Sequence, residues 1–176
     1  MSASPTPPEE HRHAAPDAVT CGVVTVSDTR TLADDLSGNL IINLLEAAGH
    51  RVAAREIVPD EPGQVAELLS RLAAEPAVQA ILVTGGTGVA PRDQTPEAVE
   101  GLLTKPLPGF GELFRMLSFQ EIGAAAMLSR AAAGLIDRTA VFLMPGSTGA
   151  VRLAVEQLVL PELAHLVHLA GKPAGA

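Results

Sequence analysis

Thr84-Gly85-Gly86-Thr87-Gly88 is the densest group of chemically useful residues in the sequence. Glycines there let backbone N–H groups approach an anion with no Cβ in the way, and they admit left-handed torsions. Thr84 and Thr87 add hydroxyl donors. A tight turn alone would account for two glycines; three glycines and two threonines after a buried apolar run point to anion binding. Neither familiar glycine-rich motif fits. A dinucleotide fingerprint read from Gly86 puts Pro91 at its third glycine, and a P-loop needs a Gly-Lys-Ser/Thr that this stretch lacks.

Asp93 follows, in Pro91-Arg92-Asp93-Gln94-Thr95-Pro96-Glu97. Thr95-Pro96 reads as a helix start, with proline in the first turn. Asp93 is then either a cap or, beside a phosphate site, a ligand for Mg²⁺, which prefers hard oxygen donors. Arg92 is either a solvated surface side chain or a phosphate partner through paired hydrogen bonds. Asp60, in Pro59-Asp60-Glu61, offers a second carboxylate. Two carboxylates at the mouth of a phosphate loop suit a magnesium ion that neutralises charge during phosphoryl or nucleotidyl transfer. Ser27 and Asp28 can hydrogen-bond a polar heterocycle, whereas Glu61, Asp34 and Asp35 read as surface, loop-solvating or capping residues. Ser147 has no readable base partner and is expected to hydrogen-bond rather than to attack.

These residues need elements to position them. Cys21–Ser27, Arg51–Val58, Ala77–Thr84 and Thr139–Met144 read as strands, being short apolar or β-branched runs bounded by turn residues. Between them, Asn39–Ala48 (ended by Gly49) and Gly63–Ala74 carry apolar residues at helical spacing, and a last helix is predicted from about Gly149 to Leu169. Alternation of this kind implies a mainly parallel sheet covered on both faces. Ligands on such sheets sit beyond the carboxyl ends of the strands. Ser27-Asp28, Pro59-Asp60-Glu61, the glycine run and Pro145-Gly146-Ser147 should all open there. Phe110, Leu113, Phe114 and Leu117 share a helical spacing that fits either core packing or a subunit contact.

Composition narrows the partners. The chain has 176 residues, 47% hydrophobic and 18% charged, enough for one domain with a real core. A formal charge of −8, with no Trp, no Tyr and four Phe, opposes nucleic acid, which needs clustered cations or stacking aromatics. Cys21 is the only cysteine, so no intrachain disulfide forms; in its apolar run it reads as a buried structural thiol. No signal-peptide core and no run of about 18 apolar residues is present, so no membrane span is expected and the cytoplasm is the default compartment. Residues 1–18 read as a flexible tail, 19–170 as a single α/β domain and 171–176 as a frayed end. His11 and His13 read as solvated tail residues.

Taken together, Thr25-Val-Ser-Asp28, Pro59-Asp-Glu61, Thr84-Gly-Gly-Thr-Gly88, Arg92-Asp93 with Thr95-Pro-Glu97, Met127-Leu-Ser-Arg130 with Ala133-Gly134, and Met144-Pro-Gly-Ser147 resemble the MoaB/MogA family. The stretch from Phe110 to Gly123 resembles its MoaB branch. The resemblance covers about residues 20 to 169. It implies a three-layer αβα domain, assembled as a homo-oligomer (trimer or hexamer), that adenylylates molybdopterin using ATP and Mg²⁺. The two essential aspartates of that reaction match Asp60 and Asp93. By the same resemblance the glycine run at 85–88, with Ser27, Ser129 and Ser147, falls at ligand-contacting positions; Asp28, Arg92, Thr95, Arg130, Pro145 and Gly146 complete the candidate substrate-binding set with Gly85, Gly86, Thr87 and Gly88. A binding module that holds or delivers the pterin without chemistry is the alternative, and an unrelated nucleotide-dependent α/β enzyme a third reading. The Gly- and Pro-rich stretch from Val89 to Pro91 is the candidate for a closing loop.

Overall fold

A strand such as β1 (Thr20–Val26), apolar on both faces, is stable only where both faces are covered. The computed structural model, which describes residues 15–172, covers it on both sides. The other strands are β2 (Arg51–Val58), β3 (Ala80–Thr84), β4 (Lys105–Pro106), β5 (Ala132–Ile136) and β6 (Thr139–Met144). They form one sheet in the order β2-β1-β3-β6-β5-β4. The first four in that order run parallel, whereas β5 and β4 are antiparallel additions at the edge. Helices α1 (Leu36–Ala47), α4 (Pro108–Ile122), α5 (Thr148–Ala154) and α6 (Leu160–Gly171) bury residues such as Ile41, Phe114, Val151 and Leu163 against one face. Helices α2 (Pro62–Ala74) and α3 (Thr95–Glu100) bury Leu69, Leu72 and Val99 against the other. The result is a three-layer αβα fold with a mainly parallel sheet.

The register aligns the functional edge. Val26 pairs with Val58, Thr25 with Thr84, and Thr84 with Met144. All four parallel strands therefore end level, and the loops beginning at Ser27, Pro59, Gly85 and Pro145 leave the sheet side by side.

Several boundaries differ from the sequence reading, each for a local reason. Helix α1 begins at Leu36 rather than Asn39 because Asp35 caps it, accepting the Gly38 N–H at 2.9 Å. Strand β3 begins at Ala80 rather than Ala77 because a turn, Val78 N–H to Glu75 C=O, occupies the preceding residues. The last helix contains a π-helical turn at Val155–Val159, where the Leu160 N–H reaches back to the Val155 carbonyl. Pro161 follows and has no N–H to continue the ladder, so a shifted turn there is expected. Strands β4 and β5 were not anticipated; β5 joins β6 through Asp137-Arg138, with Asp137 at φ +52°.

The segment Thr148–Gly171 is, by length and composition, long and apolar enough to cross a membrane. Here its inner stripe of Val151, Val155, Val159 and Leu163 is buried in the core. Residues 1–14 and 173–176, with His11 and His13, lie outside the described residues, while Gly171 closes α6. Cys21 is buried, and burial pushes its thiol pKa up to about 12, as a structural thiol requires. The three-residue spacing on α4 divides: Phe110 and Phe114 are core, with Phe110 edge-on to Phe142 at 5.5 Å, whereas Leu113 is exposed.

Two stability predictions follow from the caps and ties around β1. Asp35 is buried, caps α1 and accepts the Thr25 hydroxyl at 2.7 Å. Asp35→Ala removes a cap and strands a buried hydroxyl, and urea unfolding should show a loss of about 2–4 kcal/mol. His50 Nδ1 accepts the Val19 N–H at 3.1 Å, and burial lowers the imidazole pKa. The folded state thus binds this proton less readily than the unfolded state. Its contribution is present in full above the unfolded value of about 6.5 and is lost as pH falls from there through the lowered folded value. Thermal melts between about pH 7.5 and 5 should show a declining midpoint, with a shallower decline in His50→Asn.

Candidate functional site

The glycine run leaves β3 in conformations that exclude other residues. Gly85 has φ +106° and Gly86 φ +63°. A Cβ on Gly85 would overlap the Val26 carbonyl, on Gly86 the Thr95 hydroxyl and the Asp60 carboxylate, and on Gly88 the Asp93 carboxylate. The glycines therefore serve close approach: they let the loops after β1, β2 and β3 close on one another with the acidic groups in contact with the run. Gly85 N–H donates to the Met144 carbonyl at 3.1 Å, and the Thr84 hydroxyl to the Pro145 carbonyl at 3.0 Å, which ties the run to the loop after β6.

Asp60 is half-buried beside Gly86 and accepts the Thr95 hydroxyl at 3.2 Å. Its carboxyl pKa is raised, chiefly by desolvation; hydrogen bonds from Thr95 and the Gln94 backbone oppose this, and the charges of Asp93 and Asp28 add to it. Asp93, also half-buried, accepts the Ala90 N–H at 3.0 Å. It is not the helix cap, since Gln94 holds that position and caps with no side-chain bond. Among the described residues no group of three or more His, Cys, Asp or Glu converges on a cation position. The acidic pair of Asp60 and Asp93 instead matches the donor set magnesium takes from a protein when substrate phosphates and water complete its shell.

Two arginines hold the edge together. Arg92 makes a bidentate pair with Asp28 at 2.6 and 3.0 Å and reaches Glu61 at 3.3 Å. This guanidinium holds the Asp28 carboxyl below the usual carboxylate range. Asp28 also accepts the Asp60 N–H at 3.2 Å, so it braces the second loop rather than standing free. Arg130 donates to the carbonyls of Gly88 and Asp93 and to the Glu97 carboxylate, thereby fixing both ends of the 88–93 loop.

On the other side of the run, between β1 and β6, lies a hollow of about 360 Å³ lined by Ser27, Arg30, Ser37, Gly85, Gly146 and Ser147 among others. Ser27 accepts the N–H groups of Thr29 and Arg30, and Ser147 caps α5 by accepting the Ala150 N–H. Neither serine is paired with a base in the bonds it makes. Gly146 offers its carbonyl to the Ser37 hydroxyl at 2.7 Å. Further hollows of about 320 and 360 Å³ surround Asp60 with Arg92 and Asp93 with Arg130.

The structure thus gathers Ser27, Asp28, Asp60, the glycine run, Arg92, Asp93, Thr95, Arg130 and Pro145-Gly146-Ser147 at one sheet edge. Thr87 and Thr95 are buried within it. Ser129 lies next to Arg130, and its hydroxyl is buried without a hydrogen-bond partner among the described residues. Sequence reasoning missed Arg30 and Ser37, which line the first hollow from a polar loop and a helix start. Their only signal was position, immediately after β1 and before the α1 repeat.

Comparison with known proteins identifies the family. Residues 22–165 match the family described as "Probable molybdopterin binding domain". Molybdenum cofactor biosynthesis protein B of Bacillus subtilis is 54% identical over 160 residues, covering 90% of this chain and 94% of that protein. A crystal structure of Molybdenum cofactor biosynthesis protein B superposes with a TM-score of 0.86 at 50% identity, over 89% of this chain and 98% of that one. The tungsten cofactor synthesizing protein MoaB from Pyrococcus furiosus follows at TM-score 0.80 and 37% identity, over 90% of this chain and 100% of that one. The chain belongs to the MoaB/MogA family of molybdenum cofactor biosynthesis proteins.

Proposed function

We propose that this protein binds molybdopterin and transfers to it the adenylyl group of ATP, with Asp60 and Asp93 as the residues that hold Mg²⁺. The observation that carries the reading is the placement of these two carboxylates against a glycine run that has no room for a Cβ at Gly86 or Gly88. A structural turn alone has no use for two half-buried acids in mutual repulsion; a cation site does.

In this reaction a terminal phosphate oxygen of the pterin forms a bond to the α-phosphorus of ATP. The bond from that phosphorus to the bridging oxygen of the β-phosphate breaks, and pyrophosphate leaves with the electron pair. A phosphate monoester dianion needs no proton removed, so no general base is required. Bound magnesium would supply charge neutralisation at the phosphates. Asp60 and Asp93 orient it, free N–H groups of the 86–88 run meet anionic oxygens, and Arg92 can exchange Asp28 for a phosphate. The catalysis is positioning plus electrostatics.

The same reading makes the protein a homo-oligomer, a trimer or a hexamer. In support, Leu113, Met116, Phe119 and Ile122 lie exposed along α4, with Met127 and Leu128 exposed just beyond its end. An apolar stripe of that kind on a lone subunit marks a contact surface.

Two measurements test this. Purified protein incubated with molybdopterin, ATP and Mg²⁺ should yield adenylylated pterin by chromatography; Asp93→Asn and Asp60→Asn should each lower turnover by at least about 100-fold with the fold unchanged. Wild-type rates in both variants would sink the proposed site, and pterin binding without product would leave a binding module. In sedimentation, Phe119→Asp should shift the oligomer towards monomer; an unchanged profile would remove α4 from the contact.

A further inference from the structure

Thr95 is fully buried, so it offers incoming substrate no surface. Its hydroxyl donates to Asp60 Oδ1 at 3.2 Å across 35 residues of sequence. The same hydroxyl fills the space that a Cβ on Gly86 would need, with the second Asp60 oxygen beside it. Gly86 holds φ +63°, a conformation glycine tolerates and other residues resist. Three chain segments therefore meet at one hydroxyl: the glycine run, the loop after β2 and the first residue of α3. Pro96, next in α3, is buried too, so the helix start cannot swing away without exposing it.

We infer that Thr95 is a positioning residue, which together with the Gln94 backbone N–H holds the Asp60 carboxylate against the glycine run in the orientation that binds a cation. The inference rests on the reading of Asp60 as a magnesium-holding residue. A carboxylate held by the Gln94 N–H alone can still turn about that bond; the added tether of a buried hydroxyl fixes the direction of its oxygens. Partners behind a metal ligand typically change metal affinity or activity by about 10–100-fold when removed. Valine is the informative replacement at 95, because it keeps shape and β-branching and deletes only the hydroxyl. Serine keeps the hydroxyl and deletes only a methyl group.

The test compares full-length Thr95→Val and Thr95→Ser with the unaltered protein. Binding of Mn²⁺ in the presence of ATP, read by electron paramagnetic resonance, needs no turnover; the Mg²⁺ dependence of adenylylation is measured alongside. Thr95→Val should weaken Mn²⁺ binding and raise the Mg²⁺ half-saturation by about 10–100-fold, and Thr95→Ser should restore both. On an Asp60→Asn background, Thr95→Val should produce no further loss of Mn²⁺ binding, a result that general loosening of the fold would not give. Unchanged Mn²⁺ binding and Mg²⁺ dependence in Thr95→Val would overturn the inference, as would equal losses with and without Asp60. If the unaltered protein binds no Mn²⁺ with ATP, the functional reading itself falls and takes this inference with it.

Discussion

Gly86 stands at φ +63° with a hydroxyl and a carboxylate in the space where a side chain would begin, and the organisation of the sheet edge depends on that contact. Take away the close approach and the loops after β2 and β3 would splay, because Asp60, Asp93 and Asp28 carry like charges. The level ends of β1, β2, β3 and β6 bring these loops to one place, but a register cannot make acids tolerate one another. What does so is local: a buried Thr95 hydroxyl on Asp60, a backbone N–H on Asp93, and a bidentate guanidinium on Asp28. Each carboxylate has its own compensation, and desolvation still raises the Asp60 pKa.

Much of this was legible in the sequence, for identifiable reasons. The four parallel strands announce themselves because strands covered on both faces must be largely apolar, as Cys21–Val26 and Ala80–Thr84 are but for Thr25 and Thr84. Once the sheet is parallel, the functional loops must share an edge, so the neighbourhood of Asp60 and Asp93 follows from topology. Strand β5 escaped notice because Ala132-Ala-Gly-Leu-Ile136 has little β-branching, and its pairing with β6 lies behind a turn that uses Asp137 rather than glycine. The partnerships escaped too. Thr95 with Asp60, Ser37 with the Gly146 carbonyl and Arg130 with the Gly88 carbonyl span 35, 109 and 42 residues. No local pattern encodes such pairs; they exist only once the layers have packed.

The glycine run serves a close approach that the sequence alone did not display. Glycine in such a run suggests room for an anion, yet the room at 86 and 88 is filled by the protein's own oxygens. The missing Cβ lets the acids pack inward, where on the proposed function they receive a cation. On the proposed function, anion recognition at this edge is indirect: phosphates would meet the negative pair through a metal, with a few backbone N–H groups beside it. That logic also reconciles an anionic substrate with a chain of net charge −8, since the field that matters is set within the site and not by the distant surface.

The two arginines of the edge then divide by what holds them. Arg92 is exposed and its partners are exposed carboxylates on neighbouring loops. Water screens such a pair, so its net strength is small and a phosphate can replace Asp28 with little loss. Arg130 is less exposed, and two of its three partners are backbone carbonyls, which are fixed in place and bear no charge to be exchanged. A phosphate recruiting Arg130 would have to release the 88–93 loop and with it Asp93. On the proposed function, geometry suits Arg92 to contact ligand and Arg130 to keep the loop still, although both share one edge and one motif-rich neighbourhood.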